Sequence, residues 1–303
     1  MKLELSLIIA TYNRGEQLLR SLRSVVLQDA DPATWELIVV NNNSDDDTVE
    51  RVERFVAEHS SYNIRLLLEP QQGLSYARNC GIEAATAPII AIIDDDEEVV
   101  TTFVSGYVDF FATHPAAAAA GGAVIPLYES ERPRWMSRLC EVPIANPMAD
   151  VDAPRRLPQG RIPAGGNMAI RSSIIYRYGS FDPELGRKGD KLLGGEESNL
   201  FDRLYRAGEE VWFVGGVAIF HIIPDTKLHL DYLRRLWFNI GVSQMRRSKI
   251  ENVSVATIFF REGAKWIATI VLAFFALLCL NPQKGRYLLK MRCNITRGLF
   301  SAR

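Results

Sequence analysis

Apolar residues in the first hundred positions form short continuous runs, separated by segments in which they recur every three or four residues. Leu3 to Ala10 is one such run, bounded by Thr11-Tyr12-Asn13, and predicts a strand ending in a loop. After it Leu18, Leu22, Val25 and Val26 recur at helical spacing, with Arg20 and Arg23 on the other side and Asn13 placed to cap the helix. Trp35 to Val40 predicts a second strand, Val49, Val52 and Val56 a second helix, and Ile64 to Leu68 a third strand. Leu74 to Ala85 is helical by its alanines and apolar spacing, and Ala87 to Ile93 is a fourth strand. Strands alternating with helices of this length imply a parallel sheet covered on both faces. Ligands of such sheets bind beyond the carboxyl ends of the strands. Three polar clusters fall on that edge: Thr11-Tyr12-Asn13, Asn41 to Asp45, and Asp94-Asp95-Asp96.

The pattern loosens between Pro126 and Pro163, where proline, charge and Trp135 predict a long loop with short helices. Ala116 to Ala120 reads as a low-complexity patch. Regularity returns with a strand at Met168 to Ile170, a helix from Arg171 to Tyr178 stopped by Gly179, and a helix from Glu196 to Ala207 stopped by Gly208. Glu210 to Phe220 predicts a further strand.

Composition changes the picture mainly by exclusion. With 35 Lys and Arg against 36 Asp and Glu in 303 residues, no global field favours nucleic acid, and no nucleic-acid partner is expected. Cys80, Cys140, Cys279 and Cys293 form no CxxC pair, which argues against a structural zinc site or disulfide framework and fits a reducing compartment. Glu4 interrupts the first apolar run, so no signal peptide is expected.

The strand ending in "IIAIIDDDEEVV" delivers five successive carboxylates to the ligand edge. An Asp-x-Asp at a strand end can hold Mg²⁺ or Mn²⁺ against a phosphate, because those ions prefer hard oxygen ligands and keep positions open for substrate. An acidic run in a loop can equally be solvated surface. There is no GxxxxGK[ST] and no GxGxxG after the first strand, so a P-loop and a dinucleotide site are both unsupported.

The segments "LSLIIATYNR", "LIVVNNNSDDDT", "GLSYARNCGIEAA", "IIAIIDDDEE", "GGNMAIR", "GSFDPELG", "LLGGEES" and "FDRLYRAG" resemble, in order, the pattern of family 2 glycosyltransferases over residues 3 to 225. The resemblance implies an α/β GT-A fold, Rossmann-like with a mostly parallel sheet flanked by helices, and inverting transfer from a nucleoside-diphosphate sugar with a divalent metal. It puts Ala10, Thr11, Tyr12 and Asn42 around the base, and Arg78 near the ribose and diphosphate. Asp94 and Asp95 go with the donor, and Asp96 with the metal. Asn41 stands where many relatives carry aspartate, leaving base preference open. "LLGGEES" answers to the family's Gly-Gly-Glu-Asp, which makes Glu197 the general base with glutamate in place of aspartate. Neighbouring helical residues point about 100° apart, so Glu196 and Glu197 cannot share one hydroxyl; without the family, both would read as first-turn capping acids. Gly165, Gly166 and Asn167 would admit the donor sugar, or form a simple turn. His221 would complete the metal shell, or be a packed strand-end residue.

Residues 1–228 are expected to form the transferase domain, with a nucleotide-sugar half (1–98) and an acceptor half (99–228), followed by a helical, partly apolar extension over 229–303. Trp266 to Leu280 carries no charge, and Lys284, Arg286, Lys290, Arg292, Arg297 and Arg303 follow without an acid. About 15 helical residues rise about 22 Å, short of the roughly 30 Å of a hydrocarbon core. The segment is therefore expected to embed at the cytoplasmic membrane face through 264–303, or else to close a core. A lipid-linked or polysaccharide acceptor would suit the first. A sugar-nucleotide-binding or scaffold protein without turnover is the alternative reading, separable by transfer or donor hydrolysis with Mn²⁺.

Overall fold

A computed structural model of the chain describes residues 2–189 and 192–301; Arg303 of the basic tail lies outside them. The first half follows the predicted alternation: β1 (Leu5–Thr11), α1 (Gly15–Val25), β2 (Trp35–Asn41), α2 (Thr48–Glu58), β3 (Ile64–Leu68), α3 (Leu74–Ala84) and β4 (Ile89–Asp94). There follow β5 (Glu97–Val99), α4 (Phe103–Thr113), β6 (Ala117–Tyr128), α5 (Arg138–Ala145), β7 (Arg155–Arg156), β8 (Met168–Arg171), α6 (Ser172–Tyr178), α7 (Glu196–Arg206) and β9 (Glu210–Ile223). Three helices end the chain: α8 (Leu230–Ile250), α9 (Val255–Leu278) and α10 (Pro282–Ser301).

The sheet runs β3-β2-β1-β4-β8-β6-β9-β5, with β7 beside β9. Strands β1 to β4 are parallel, with Leu5 level with both Trp35 and Ile89. Beyond β4 the pairings of β8 with β4 and β6, and of β9 with β5 and β7, are antiparallel, so the parallel character stops at the fourth strand. Alternation sorts the side chains to two faces. Leu7, Ile9, Val39 and Ile93 meet Leu18 and Leu22 of α1, Phe55 of α2 and Phe103 of α4. Ile8, Ala10, Val40 and Ile92 meet Ala77 of α3 and Leu200, Phe201 and Leu204 of α7. Both faces are therefore covered, and each fully buried aliphatic side chain contributes about 1.5–3 kcal/mol.

Two compact units divide the chain: 1–126, 147–184 and 196–222 in the first, and 127–146, 185–195 and 223–303 in the second. The boundary expected at residue 228 thus moves to 222, and parts of the expected acceptor half join the helical unit. The reason is apolar packing: Met136, Cys140 and Ile144 around α5 share a core with Trp237 of α8 and Leu288, Met291 and Ile295 of α10. Within this unit α8 and α10 approach at glycines, since a Cβ on Gly241 would lie 1.9 Å from the Ile295 carbonyl oxygen and one on Gly298 1.9 Å from that of Phe238. Helix α9 joins α10 through Glu262, which accepts from Thr296 (2.8 Å) and pairs with Arg292 (3.3 Å). Among the described residues no helix is long and apolar enough to cross a membrane.

Candidate active site

Two loops at the carboxyl ends of β1 and β2 are clasped together. Asn13 does not cap α1; it sits at φ 52°, its amide donates to Asp45 Oδ1 (2.6 Å), and the Asp45 N–H donates back to its carbonyl oxygen (2.9 Å). Arg14 occupies the capping position instead, without a side-chain cap, and this frees its guanidinium to reach the acids. Asn42 uses both amide hydrogens and its side-chain oxygen: it donates to the carbonyls of Glu69 (3.1 Å) and Gln71 (2.7 Å) and accepts from Gly73 N–H (2.8 Å). Its side chain builds the loop after β3. Ala10 is buried and Tyr12 is half-buried beside it.

The five carboxylates from Asp94 to Glu98 are divided among several partners, with Arg14 shared by Asp95 and Asp96. Asp94 pairs with Arg78 (2.8 Å). Asp95 accepts from Thr11 Oγ1 (2.9 Å) and Arg14 (2.8 Å), so the Thr11 hydroxyl is used inside the protein. Asp96 is 3.2 Å from Arg14 by Oδ2 and 3.6 Å from His221 Nε2 by Oδ1. Glu98 pairs with Arg20 (3.0 Å). Glu97 turns inward, level with His221 in the β5–β9 pairing, and its Oε2 accepts the Asp94 N–H (2.8 Å). Burial, with Asp94 and Asp96 nearby, pushes Glu97 well above the usual carboxylate range. Burial also raises Asp95, against the opposing pull of Arg14.

Arg78 is the hub on the other side. Its side chain is 1% exposed, and its guanidinium meets Asp94, Glu197 (2.9 Å), Glu196 (3.4 Å) and the Gly165 carbonyl (3.4 Å), while lying 5.4 Å over the Phe181 ring. This reaches across the fold because α3, β4 and α7 converge at the same sheet edge. Of the two acids opening α7, Glu196 is buried and Glu197 half-buried, so Glu197 is the more accessible of the pair. Burial and the adjacent Glu197 push Glu196 up to about 8, against the lowering effect of Arg78. Among the described residues its Oε2 has no hydrogen-bond partner.

The glycines of "GGN" have a stated purpose in this packing. A Cβ on Gly165 would lie 2.0 Å from Glu197 Oε1, and one on Gly166 2.0 Å from Glu97 Oε1. Asn167 is fully buried: Tyr107 donates to its carbonyl oxygen (2.6 Å), and its amide donates to Ala123 (2.9 Å) and Val217 (3.2 Å). It locks β6 and β9 to this turn by its side chain.

The site therefore brings Asp94, Asp95, Asp96, His221, Arg78 and Glu197 together, and adds two residues given no role by the sequence, Arg14 and Glu97. Arg14 was legible as the one cation in the loop after the first strand; Glu97 looks like part of a surface run until its strand pairing turns it inward. For a divalent ion the fitting groups are Asp96 and His221, a carboxylate and an imidazole facing each other. Among the described residues no group of three or more His, Cys, Asp and Glu side chains is gathered as a metal cluster.

A sheet covered on both faces, with an Asp-x-Asp turn linked by an arginine to a glutamate pair on a helix, defines a glycosyltransferase of the GT-A fold. The chain belongs to glycosyl transferase family 2, whose model matches residues 6–179, more than half of its length. It is 25% identical over 251 residues to the glucosyl-dolichyl phosphate glucuronosyltransferase of Haloferax volcanii, covering 78% of this chain and 75% of that one. The succinoglycan biosynthesis protein ExoM of Rhizobium meliloti is 26% identical over 308 residues, covering 99% and 92%. The structure of mannosyltransferase PcManGT from Pyrobaculum calidifontis in complex with GDP-Man and Mn²⁺ is similar in fold, with a TM-score of 0.65 at 16% identity over 100% of this chain and 87% of that one.

Proposed function

We propose that this glycosyltransferase moves a sugar, with inversion, from a nucleoside-diphosphate sugar to the hydroxyl of a lipid-linked or polysaccharide acceptor at the cytoplasmic face of a membrane. The observation that carries the reading is the guanidinium of Arg78, which links Asp94 to Glu197; in this reading Asp94 faces the donor and Glu197 the acceptor. Glu197 takes the acceptor proton as the acceptor oxygen bonds to the anomeric carbon; the bond from that carbon to the diphosphate breaks, and its electron pair leaves with the nucleoside diphosphate. Proton transfer of this kind contributes about 10² to 10⁴ in rate. Arg78 orients Glu197, and Gly165 leaves the space in which its carboxylate rests. Asp96 and His221 would hold a divalent ion. Such an ion supplies Lewis-acid neutralisation of the departing diphosphate. The names of the two relatives, a dolichyl phosphate enzyme and a succinoglycan biosynthesis protein, support the acceptor class.

Thermal stabilisation by a panel of nucleotide sugars, with and without Mn²⁺, followed by donor hydrolysis on the best, tests the proposal. A donor that stabilises the protein and is turned over supports it. Stabilisation without turnover under any acceptor would leave a sugar-nucleotide binder instead, and no stabilisation by any donor would end the reading.

A further inference from the structure

Helix α9 is apolar almost all round from Trp266 onward, yet it packs by one narrow stripe. Glu262, Thr269 and Ala276, seven residues apart, are its buried positions. The rest of its circumference faces outward: Phe260 is 80% exposed, Ile267 67% and Leu280, just beyond its end, 91%. Large apolar side chains left open over a whole helix mark a surface made to be covered.

Beside this face lies a groove of about 770 Å³ between α8, α9 and α10. Arg234, Arg286, Lys290 and Arg297 line it with Leu277 and Leu289, and among the described residues no acid does. On α10 the three cations follow helical spacing, so they form one stripe along the groove. Arg286 and Arg297 have no carboxylate partner among the described residues. Lys290 lies 5.2 Å from the Tyr287 ring, and Arg234 has an exposed pairing with Asp231. The groove floor is close-packed, since a Cβ on Gly285 would come 2.9 Å from the Ala273 carbonyl oxygen. Leu277 is shared by the floor and the open face of α9.

We infer that this groove binds the phosphate headgroup of an anionic lipid, with the lipid's chains running over the exposed face of α9. Charge complementarity selects the headgroup, and the uncovered apolar helix continuous with the groove selects a lipid over a soluble phosphate. The inference rests on the membrane association proposed above and gives it a named site. Basic side chains near an anionic surface are each worth about fivefold in binding.

The test is co-sedimentation of the full chain with vesicles of phosphatidylcholine alone or mixed with phosphatidylglycerol. Wild type is expected to prefer the anionic vesicles by at least about 25-fold at low salt, and Arg286→Glu with Arg297→Glu to lose that preference. Arg23→Glu with Arg54→Glu, a matched charge change on the first unit, is expected to keep most of it. Circular dichroism melting of each variant controls for folding. Equal binding to both vesicle types, or an unaltered preference in the groove variant, overturns the groove while membrane association stands. Binding to neither overturns both. Thermal stabilisation by inorganic phosphate without vesicle binding assigns the groove to a soluble anion and overturns the lipid, and a stable dimer that binds no vesicle assigns the α9 face to a second copy. Donor stabilisation measured on the same samples reports on the transferase site separately.

Discussion

Arg78 donates to Glu197 from one nitrogen and to Asp94 from the other, at 2.9 and 2.8 Å, with only 1% of its side chain exposed. Three carboxylates converge on this one buried cation, so its removal leaves them facing each other without compensation. Breaking a buried pair in this way costs about 3–5 kcal/mol. Arg78→Ala is expected to lower the urea midpoint accordingly. Arg78→Lys restores charge but cannot fork between two acids, so it should recover much of the stability and little of the transfer rate. An unchanged midpoint in the alanine variant would show that the hub is not structural.

Glu197→Gln preserves the shape that Arg78 holds and removes the capacity to take a proton. Donor-dependent thermal stabilisation is expected to persist while transfer falls by about 10² to 10⁴. Full turnover in this variant would move the base elsewhere.

Glu196 carries a pH signature. Burial raises it from 4.5 to about 8, with Glu197 raising and Arg78 lowering it. The folded protein therefore holds a proton that the unfolded chain releases, so the contribution is complete below about 4.5 and is lost as pH rises through about 8. Glu196→Gln keeps a neutral side chain at every pH. Its melting temperature should rise relative to wild type across that window, and a difference that is flat with pH would contradict the assignment.

Strands β1 to β4 were legible because Leu, Ile and Val repeat in uninterrupted runs between helices with one apolar face, and buried parallel strands need such runs. In the antiparallel half β8 and β9 were legible too, as Met168 to Ile170 and Glu210 to Phe220, but β5, β6 and β7 were not. Ala116 to Ala120 reads as a low-complexity patch rather than as the start of β6, since alanine and glycine are poor strand formers; the structure uses small residues here because Gly122 lies against the Val217 carbonyl, where a Cβ would be 1.7 Å away. Glu97 begins β5 although acids disfavour strands, because its side chain is held inside by the Asp94 N–H. The acids, Arg78 and the Glu pair were legible as motifs, but not how they divide. Asn42, Thr11 and Asn167, expected at the donor, spend their polar atoms on neighbouring protein groups, and only long-range contacts reveal that.

Arg14 bridges Asp95 and Asp96 at 2.8 and 3.2 Å and is a third exposed. It thus supplies to Asp96 the positive charge that a divalent ion would bring. Arg14→Gln is expected to lower the Mn²⁺ concentration giving half-maximal thermal stabilisation, without donor, by about fivefold, the worth of about 1 kcal/mol for a part-exposed pair. Unaltered or weaker Mn²⁺ response would mean that Arg14 does not compete for that position.

Gly165 and Gly166 separate catalytic placement from packing, although they are neighbours. A Cβ on Gly165 meets the Glu197 carboxylate at 2.0 Å, at the end of a half-buried side chain that can swing away. Gly165→Ala should therefore lower the melting temperature less than Gly166→Ala does, and reduce transfer by displacing the base. A Cβ on Gly166 meets Glu97 at 2.0 Å, and Glu97 is buried and tied to the Asp94 N–H, so it has nowhere to go. Overpacking of this kind costs about 1–3 kcal/mol. Gly166→Ala should lower the melting temperature, and because Glu97 holds the acidic turn, donor affinity should fall with it. If the two variants behave alike in both melting and transfer, Gly165 serves only to pack and Glu197 is not the group it makes room for.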